Sequence, residues 1–260
     1  MIRLAALMLA AFAAGAAQAE DAPICTDRPG KANAVCTVPP GRLQLETAAL
    51  GWTLKDAQRT RTELVTIGAS VLKLGLTERS DLQIGLTPYA ELTTRDSSAR
   101  RLSGVGDMVI RYKRRLTRAD ASVQAAVIPF LKLPTAGRGL GNGRVEGGAA
   151  LPISFAFVGR ATMTLGPEMD VLADARGGGR HFALANVVNL SVPVAARLTA
   201  TGELWAGLDF QRGETVKQAS ADAALAYALS KDVQIDGGAN FGLTRPMPDV
   251  ETYFGLSLRF

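Results

Sequence analysis

Leu198-Thr199-Ala200-Thr201-Gly202-Glu203-Leu204-Trp205-Ala206-Gly207-Leu208-Asp209-Phe210 decides the fold. Leu198, Ala200, Leu204, Ala206, Leu208 and Phe210 fall on one parity, and Thr199, Thr201, Glu203, Trp205 and Asp209 on the other. A period of two over thirteen residues is a strand with one apolar and one polar face, and no helical spacing fits it. Residues 161–171, 233–243 and 252–260 repeat the habit, each bounded by turn residues.

Working outward, strands are expected at 42–54, 62–76, 82–94, 105–116, 122–133, 145–157, 160–173, 182–193, 197–210, 218–229, 233–243 and 251–260, twelve in all. Soluble strands average about five or six residues, so lengths of 10 to 15 suit a wall that crosses a bilayer. The phase is mixed in 42–54, where Trp52 is out of step with Leu43 and Leu45, and again in 62–76. The connections sort by length. Thr77–Asp81, Thr117–Ala121, Ala195–Ala196 and Ser230–Asp232 are tight, whereas Arg95–Gly104, Thr135–Arg144 and Ala173–His181 are long. With both termini on one side, the tight set falls on the periplasmic rim. Phe182, Phe210 and Phe241 map near the outer rim, and Tyr112, Phe155, Phe157, Tyr227 and Phe260 near the inner one, as two aromatic belts. The expected fold is therefore all-β: a transmembrane antiparallel up-and-down β-barrel over 42–260.

The N-terminus sets the compartment. Arg3 precedes an apolar run from Leu4 to Ala17, and Ala17-Gln18-Ala19 is a small-x-small site, so residues 1–19 read as a signal peptide cleaved before Glu20. Cleavage leaves 241 residues (260 minus 19) and takes the formal charge from +5 to +4 as Arg3 departs. No later apolar run approaches the roughly 18 residues of a helical span. The expected location is the outer membrane of a Gram-negative bacterium. Residues 20–41 contain Pro23, Pro29, Pro39 and Pro40 and read as an irregular periplasmic segment able to fold into the barrel mouth and plug the lumen. Cys25 and Cys36 are its only cysteines, and in an oxidising compartment a disulfide is the expected use. A metal site would need further ligands, and the sole histidine, His181, lies far along the chain. No cofactor is expected.

These residues resemble a family. Cys25-Thr26-Asp27-Arg28-Pro29-Gly30, Val38-Pro39-Pro40-Gly41-Arg42-Leu43-Gln44-Leu45-Glu46, Leu74-Gly75-Leu76-Thr77-Glu78-Arg79, Gly104-Val105-Gly106-Asp107 and Leu133-Pro134-Thr135-Ala136-Gly137 with Gly141-Asn142-Gly143 are similar to motifs of suspected outer-membrane transporters linked to the meta-pathway of phenol degradation. The resemblance runs through the mature chain. It implies a barrel that helps small, often aromatic, molecules across, and leaves the substrate open.

Charge placement follows from parity. Glu91, Asp107, Glu146, Glu168, Asp170, Glu203, Asp209, Asp222 and Asp236 are expected to face the lumen, against Arg111, Lys113, Lys132 and Arg259. A charge facing lipid near the midplane would cost roughly 2–4 kcal/mol. Nine acids against four bases give a net negative interior, which serves equally a cation-preferring pore or a plugging network. The outer loops have the reverse sign. Arg100, Arg101, Arg138, Arg176 and Arg180 are placed to meet lipopolysaccharide phosphates, and that use, rather than nucleic acid, explains a pI of about 9.5. Phe260 ends an alternating strand and resembles the terminal aromatic read by the barrel-assembly machinery.

Enzyme chemistry finds little purchase. A serine nucleophile needs a base beside it, and His181 has no serine within two residues and reads as a solvated loop residue. Gly139-Leu140-Gly141-Asn142-Gly143 lies between strands, so no helix N-terminus is there to hold a phosphate. Glu168 with Asp170 share a face, but a polar lumen makes such pairs without catalysis. The expected function is a channel or uptake porin for small, aromatic or hydrophobic molecules. The alternatives are a structural or surface-binding barrel with a plugged lumen, and, third, an enzyme acting on outer-membrane lipid. Its expected partners are lipid with lipopolysaccharide, the assembly machinery and a small-molecule solute.

Overall fold

In the computed structural model, residues 22–57, 59–174 and 178–260 are described. The signal-peptide reading of 1–19, and Arg176, lie outside them. The ladder consists of β1 (Leu43–Ala57), β2 (Thr60–Thr77), β3 (Ser80–Leu86), β4 (Tyr89–Arg95), β5 (Ala99–Gly104), β6 (Met108–Arg115), β7 (Val123–Leu133), β8 (Glu146–Ala150), β9 (Ile153–Ala156), β10 (Thr162–Leu165), β11 (Glu168–Ala173), β12 (Arg180–Ala195), β13 (Leu198–Gln211), β14 (Glu214–Ala228), β15 (Val233–Gly242) and β16 (Val250–Arg259). Four crossings are each interrupted once: β3/β4 both pair β2, β5/β6 pair those two in turn, β8/β9 both pair β7, and β10/β11 both pair β12. Sixteen segments thus make twelve antiparallel strands, and β1 closes the barrel by pairing both β2 and β16.

The interruptions have local causes. Proline offers no N–H to a ladder, and Pro88, Pro152 and Pro167 stand in three of the gaps. On β1 an extra residue sits between Ala48 and Leu50 in the register with β16, and opposite it Gly68 of β2 has φ +68°. This bulge explains the mixed phase of the first two strands. Gln44, Glu46 and Ala48 point inward below it, while Leu50 above it is exposed and brings Trp52 onto the outer face.

Sidedness is inverted relative to a soluble protein. The largest fully buried side chains include Lys73, Lys113, Gln44, Gln83 and Asp81, whereas Leu50, Ile67, Leu72, Leu204, Leu225 and Phe254 are exposed on the outside. A polar interior inside an apolar outer band is the requirement of a bilayer-spanning barrel. Phe182, Phe210 and Phe241 are exposed toward one rim, and Tyr112, Tyr227, Phe157 and Phe260 toward the other.

Leu43 and Phe260 exchange backbone hydrogen bonds, so the barrel begins and ends on one rim, called here the terminal rim. The connections there span 2 to 7 residues, such as 78–79 and 116–122. Those on the far rim range from 212–213 to 134–145. The expected sorting by length is weaker than the sequence indicated, because hairpins β1–β2, β4–β5 and β13–β14 continue as ladder through stretches that read as loops.

Candidate functional site: the lumen and the segment inside it

Residues 22–41 enter the lumen from the terminal rim. Ile24 N donates to Lys231 O, Arg259 Nη2 to Ala22 O, and Gln44 Nε2 to Cys25 O, which tether the segment around that rim. Cys25 and Cys36 are joined, with Cα atoms 6.4 Å apart, and close the stretch that reaches furthest inside. Val38 N donates to Asp81 at 3.0 Å.

The two walls that grip this loop have opposite signs. On the β2–β6 wall, Lys73 and Lys113 hold the Asp27 carboxylate at 2.5 and 2.6 Å, and Lys73 also pairs with Glu46. On the β13–β15 wall, Asp236 receives Arg28 at 2.6 Å and Asp222 receives Lys31 at 2.9 Å. Glu203 accepts the backbone N–H groups of Lys31 and Ala32 at 2.7 and 3.0 Å, and Glu46 those of Asp27 and Arg28. Arg28 also lies 5.3 Å from the Tyr253 ring and Lys31 5.8 Å from that of Trp205, within cation–π range. Burial works against charge on Asp27, but Lys113, Lys73 and Arg111 outweigh it and hold its carboxyl well below the usual carboxylate range.

Close packing fixes the fit. A Cβ built on Gly30 would meet the Glu203 carboxylate, and one on Gly255 would meet the Arg28 guanidinium. Both glycines therefore let charged groups approach a backbone that any larger residue would push away.

Beyond the loop lies a cavity of about 380 Å³, floored by Asp27, Arg28, Lys31 and Asn33 and walled by Val71, Val109, Arg111, Phe130, Ala150 and Glu168. Arg111 donates to Asn33 Oδ1. Toward the far rim, Lys132 pairs with Asp107 and Glu146 at 3.1 and 2.9 Å, and Asn142 of the 134–145 loop joins them through Lys132 and Glu146. Asp170, on the same inward row as Phe130 and Gly148, has a buried Oδ1 without a hydrogen-bond partner among the described residues.

Two readings are corrected. Glu91 was expected in the lumen, but it pairs in register with Val65 and Ser103 on the outer face, hydrogen-bonded by Tyr89 Oη at 3.0 Å and 3.5 Å from Arg101. The break at Thr87-Pro88 shifts the phase of β4, which parity alone does not register. His181 was expected in solvent. It lies in β12 with a side chain only 8% exposed, held between Asp174 at 2.8 Å and Asp209 at 2.7 Å. The strand begins two residues earlier than its alternation indicated.

The remaining expected lumen residues stay inside: Arg111, Lys113, Lys132, Glu146, Glu168, Asp170, Glu203, Asp209, Asp222, Asp236 and Arg259 stand on the inward face by pairing, and Asp107 meets Lys132 there. The sequence reading missed Glu46, Lys73 and Asp81, all almost fully buried inside. Their signal was the mixed phase of residues 42–76. Among the arginines at the far rim, Arg100 is 3.6 Å from Asp96, Arg180 Nη1 donates to Val145 O, and Arg138 forms an isolated bridge with Gly141.

Comparison with known proteins fits this geometry. A family model described as "Putative MetA-pathway of phenol degradation" matches residues 26–260. Among solved structures, the chain is similar to a COG4313 outer membrane channel from Pseudomonas putida F1, with 13% identity, a TM-score of 0.67, and coverage of 89% of this chain and 99% of that one. It is also similar to the NanC porin (8% identity, TM-score 0.54, 83% and 98% covered). The translocator domain of the autotransporter NalP from Neisseria meningitidis follows at 12% identity, TM-score 0.52, with 86% and 90% covered. No curated protein matches the chain in sequence.

Proposed function

The chain belongs to that family, whose model covers all of the barrel, and on this premise we propose that it is an outer-membrane channel for small molecules, closed at its terminal rim by residues 22–41. The observation that carries the reading is the polar lumen with a cavity of about 380 Å³ directly beyond the segment, a volume suited to one small ligand. Nothing in the channel's work calls for covalent chemistry: solute enters at the far rim, rests in the cavity, and passes when the segment moves. The similarity to channels and porins supports this, and the family description favours small aromatic solutes.

Several parts of the reading concern the surroundings. Residues 1–19 act as the export signal, and the terminal rim faces the periplasm. Phe260, exposed at the end of β16, serves barrel assembly. Arg100, Arg101, Arg138 and Arg180, with Arg176, meet lipopolysaccharide phosphates at the far rim.

A second reading, a barrel whose lumen stays blocked, is favoured by the number of ion pairs on the segment. Proteoliposomes separate the two. Uptake of a small aromatic solute above the protein-free rate supports the channel, and uptake no faster than in protein-free vesicles, for the full chain and for variants with the segment released, would sink it.

A further inference from the structure

Among the charged residues that line the cavity, two make no ion pair within the described residues. Asp27 and Glu46 are taken by Lys73 and Lys113, Arg28 by Asp236 and Lys31 by Asp222. Arg111 of β6 makes one hydrogen bond, to an uncharged side chain, Asn33, and no ion pair within the described residues. Glu168 of β11 lines the same cavity; its main chain pairs with Ala150 and Ala185, while its carboxylate makes no hydrogen bond or ion pair within the described residues and has Arg111 as the charge acting on it. Between them Val71, Val109 and Phe130 give the cavity an apolar side.

We propose that this cavity binds a small zwitterion with an apolar body, its carboxylate on Arg111, its ammonium on Glu168 and its body against Val71, Val109 and Phe130. The inference rests on the channel reading and names the solute class. A guanidinium matches a carboxylate in bidentate geometry. A ligand carrying one charge would satisfy one wall group and set a like charge toward the other, in surroundings where an uncompensated ion is costly. A neutral hydrocarbon would desolvate both.

The lumen already binds such a ligand in another form. The segment presents Asp27 to the basic wall and Arg28 with Lys31 to the acidic wall, opposite charges one residue apart on a short scaffold. The segment compensates those wall charges, so within the cavity the transverse field is that of Arg111 and Glu168, and a dipolar molecule aligns with it where a single ion is drawn to one side.

Equilibrium binding of L-phenylalanine, phenylacetate, phenethylamine and toluene to the detergent-solubilised full chain tests this. Phenylalanine should bind at least about tenfold tighter than each of the other three, the margin of one charged hydrogen-bonded contact. Arg111→Gln should reduce phenylalanine to the level of phenethylamine, Arg111→Lys should recover part of the loss, and Glu168→Gln should reduce it to the level of phenylacetate. A heat-dependent gel shift verifies that each variant is a folded barrel. Toluene or phenylacetate binding as tightly as phenylalanine would overturn the inference, as would unchanged phenylalanine affinity in both glutamine variants. In either case uptake of neutral aromatic solutes by proteoliposomes would leave the channel reading standing.

Discussion

Asp27 and Arg28, neighbours in the chain, are bound to opposite walls of the barrel: Asp27 to Lys73 and Lys113, Arg28 to Asp236 208 residues away. A single peptide unit thus bridges the lumen, and the segment can leave only if both contacts break. Removing one partner of a buried ion pair commonly costs about 3–5 kcal/mol, because the other charge stays buried and unpaired. The same figure makes these pairs a latch that single substitutions can open.

The latch should resist mild acid. A carboxyl depressed in the docked state contributes fully above its free value of about 4, and the contribution is lost only as pH falls through the depressed value. The open fraction of single channels should accordingly stay flat from pH 7 to about 4. A rise between pH 7 and 5 would mean that Asp27 is not what holds the segment.

The disulfide should shape the latch without building the barrel. Closing a loop of this length contributes roughly 3 kcal/mol by chain entropy, all of it spent on ordering residues 25–36. Cys25→Ser with Cys36→Ser should keep the heat-dependent gel shift and raise the open fraction severalfold. Loss of the gel shift would show instead that the loop is needed for assembly.

Topology can be read from whole cells. A tag at Gly178, in the far-rim loop, should be reached by antibody on intact cells, and one at Asp120, in the 116–122 turn, only after permeabilisation. Equal labelling of both would reverse or abolish the assigned orientation.

How much of this was legible depends on where the alternation runs unbroken. Glu203 and Asp209 sit in thirteen residues of clean period two, and the sequence put them on one face; the register with Asn189 and Ala183 agrees. Where the backbone inserts or skips a residue, parity misleads. The bulge beyond Ala48 hid Glu46 and Lys73, and the break at Thr87-Pro88 turned Glu91 outward. A bulge changes the face of every residue beyond it while leaving composition untouched, so no local signal announces it. What the N-terminal segment binds was illegible for a different reason. Its proline content speaks of irregular backbone, but the partners of Arg28 and Lys31 lie on strands near the other end of the chain. The two unpaired cavity charges emerge only after every other pair has been assigned.

The central claim is that charge pairs between the segment and the lumen wall close the channel, and a charge swap measures it most directly. Single-channel recordings in planar bilayers would compare the full chain with Arg28→Asp, Asp236→Arg and the double variant. Each single substitution should raise the open fraction by about tenfold or more, and the double variant, with its pair restored in reverse, should return toward the closed level. If the double variant is as open as the singles combined, or if neither single substitution changes the conductance, then the Arg28–Asp236 pair does not hold the segment in place and the account of closure is wrong.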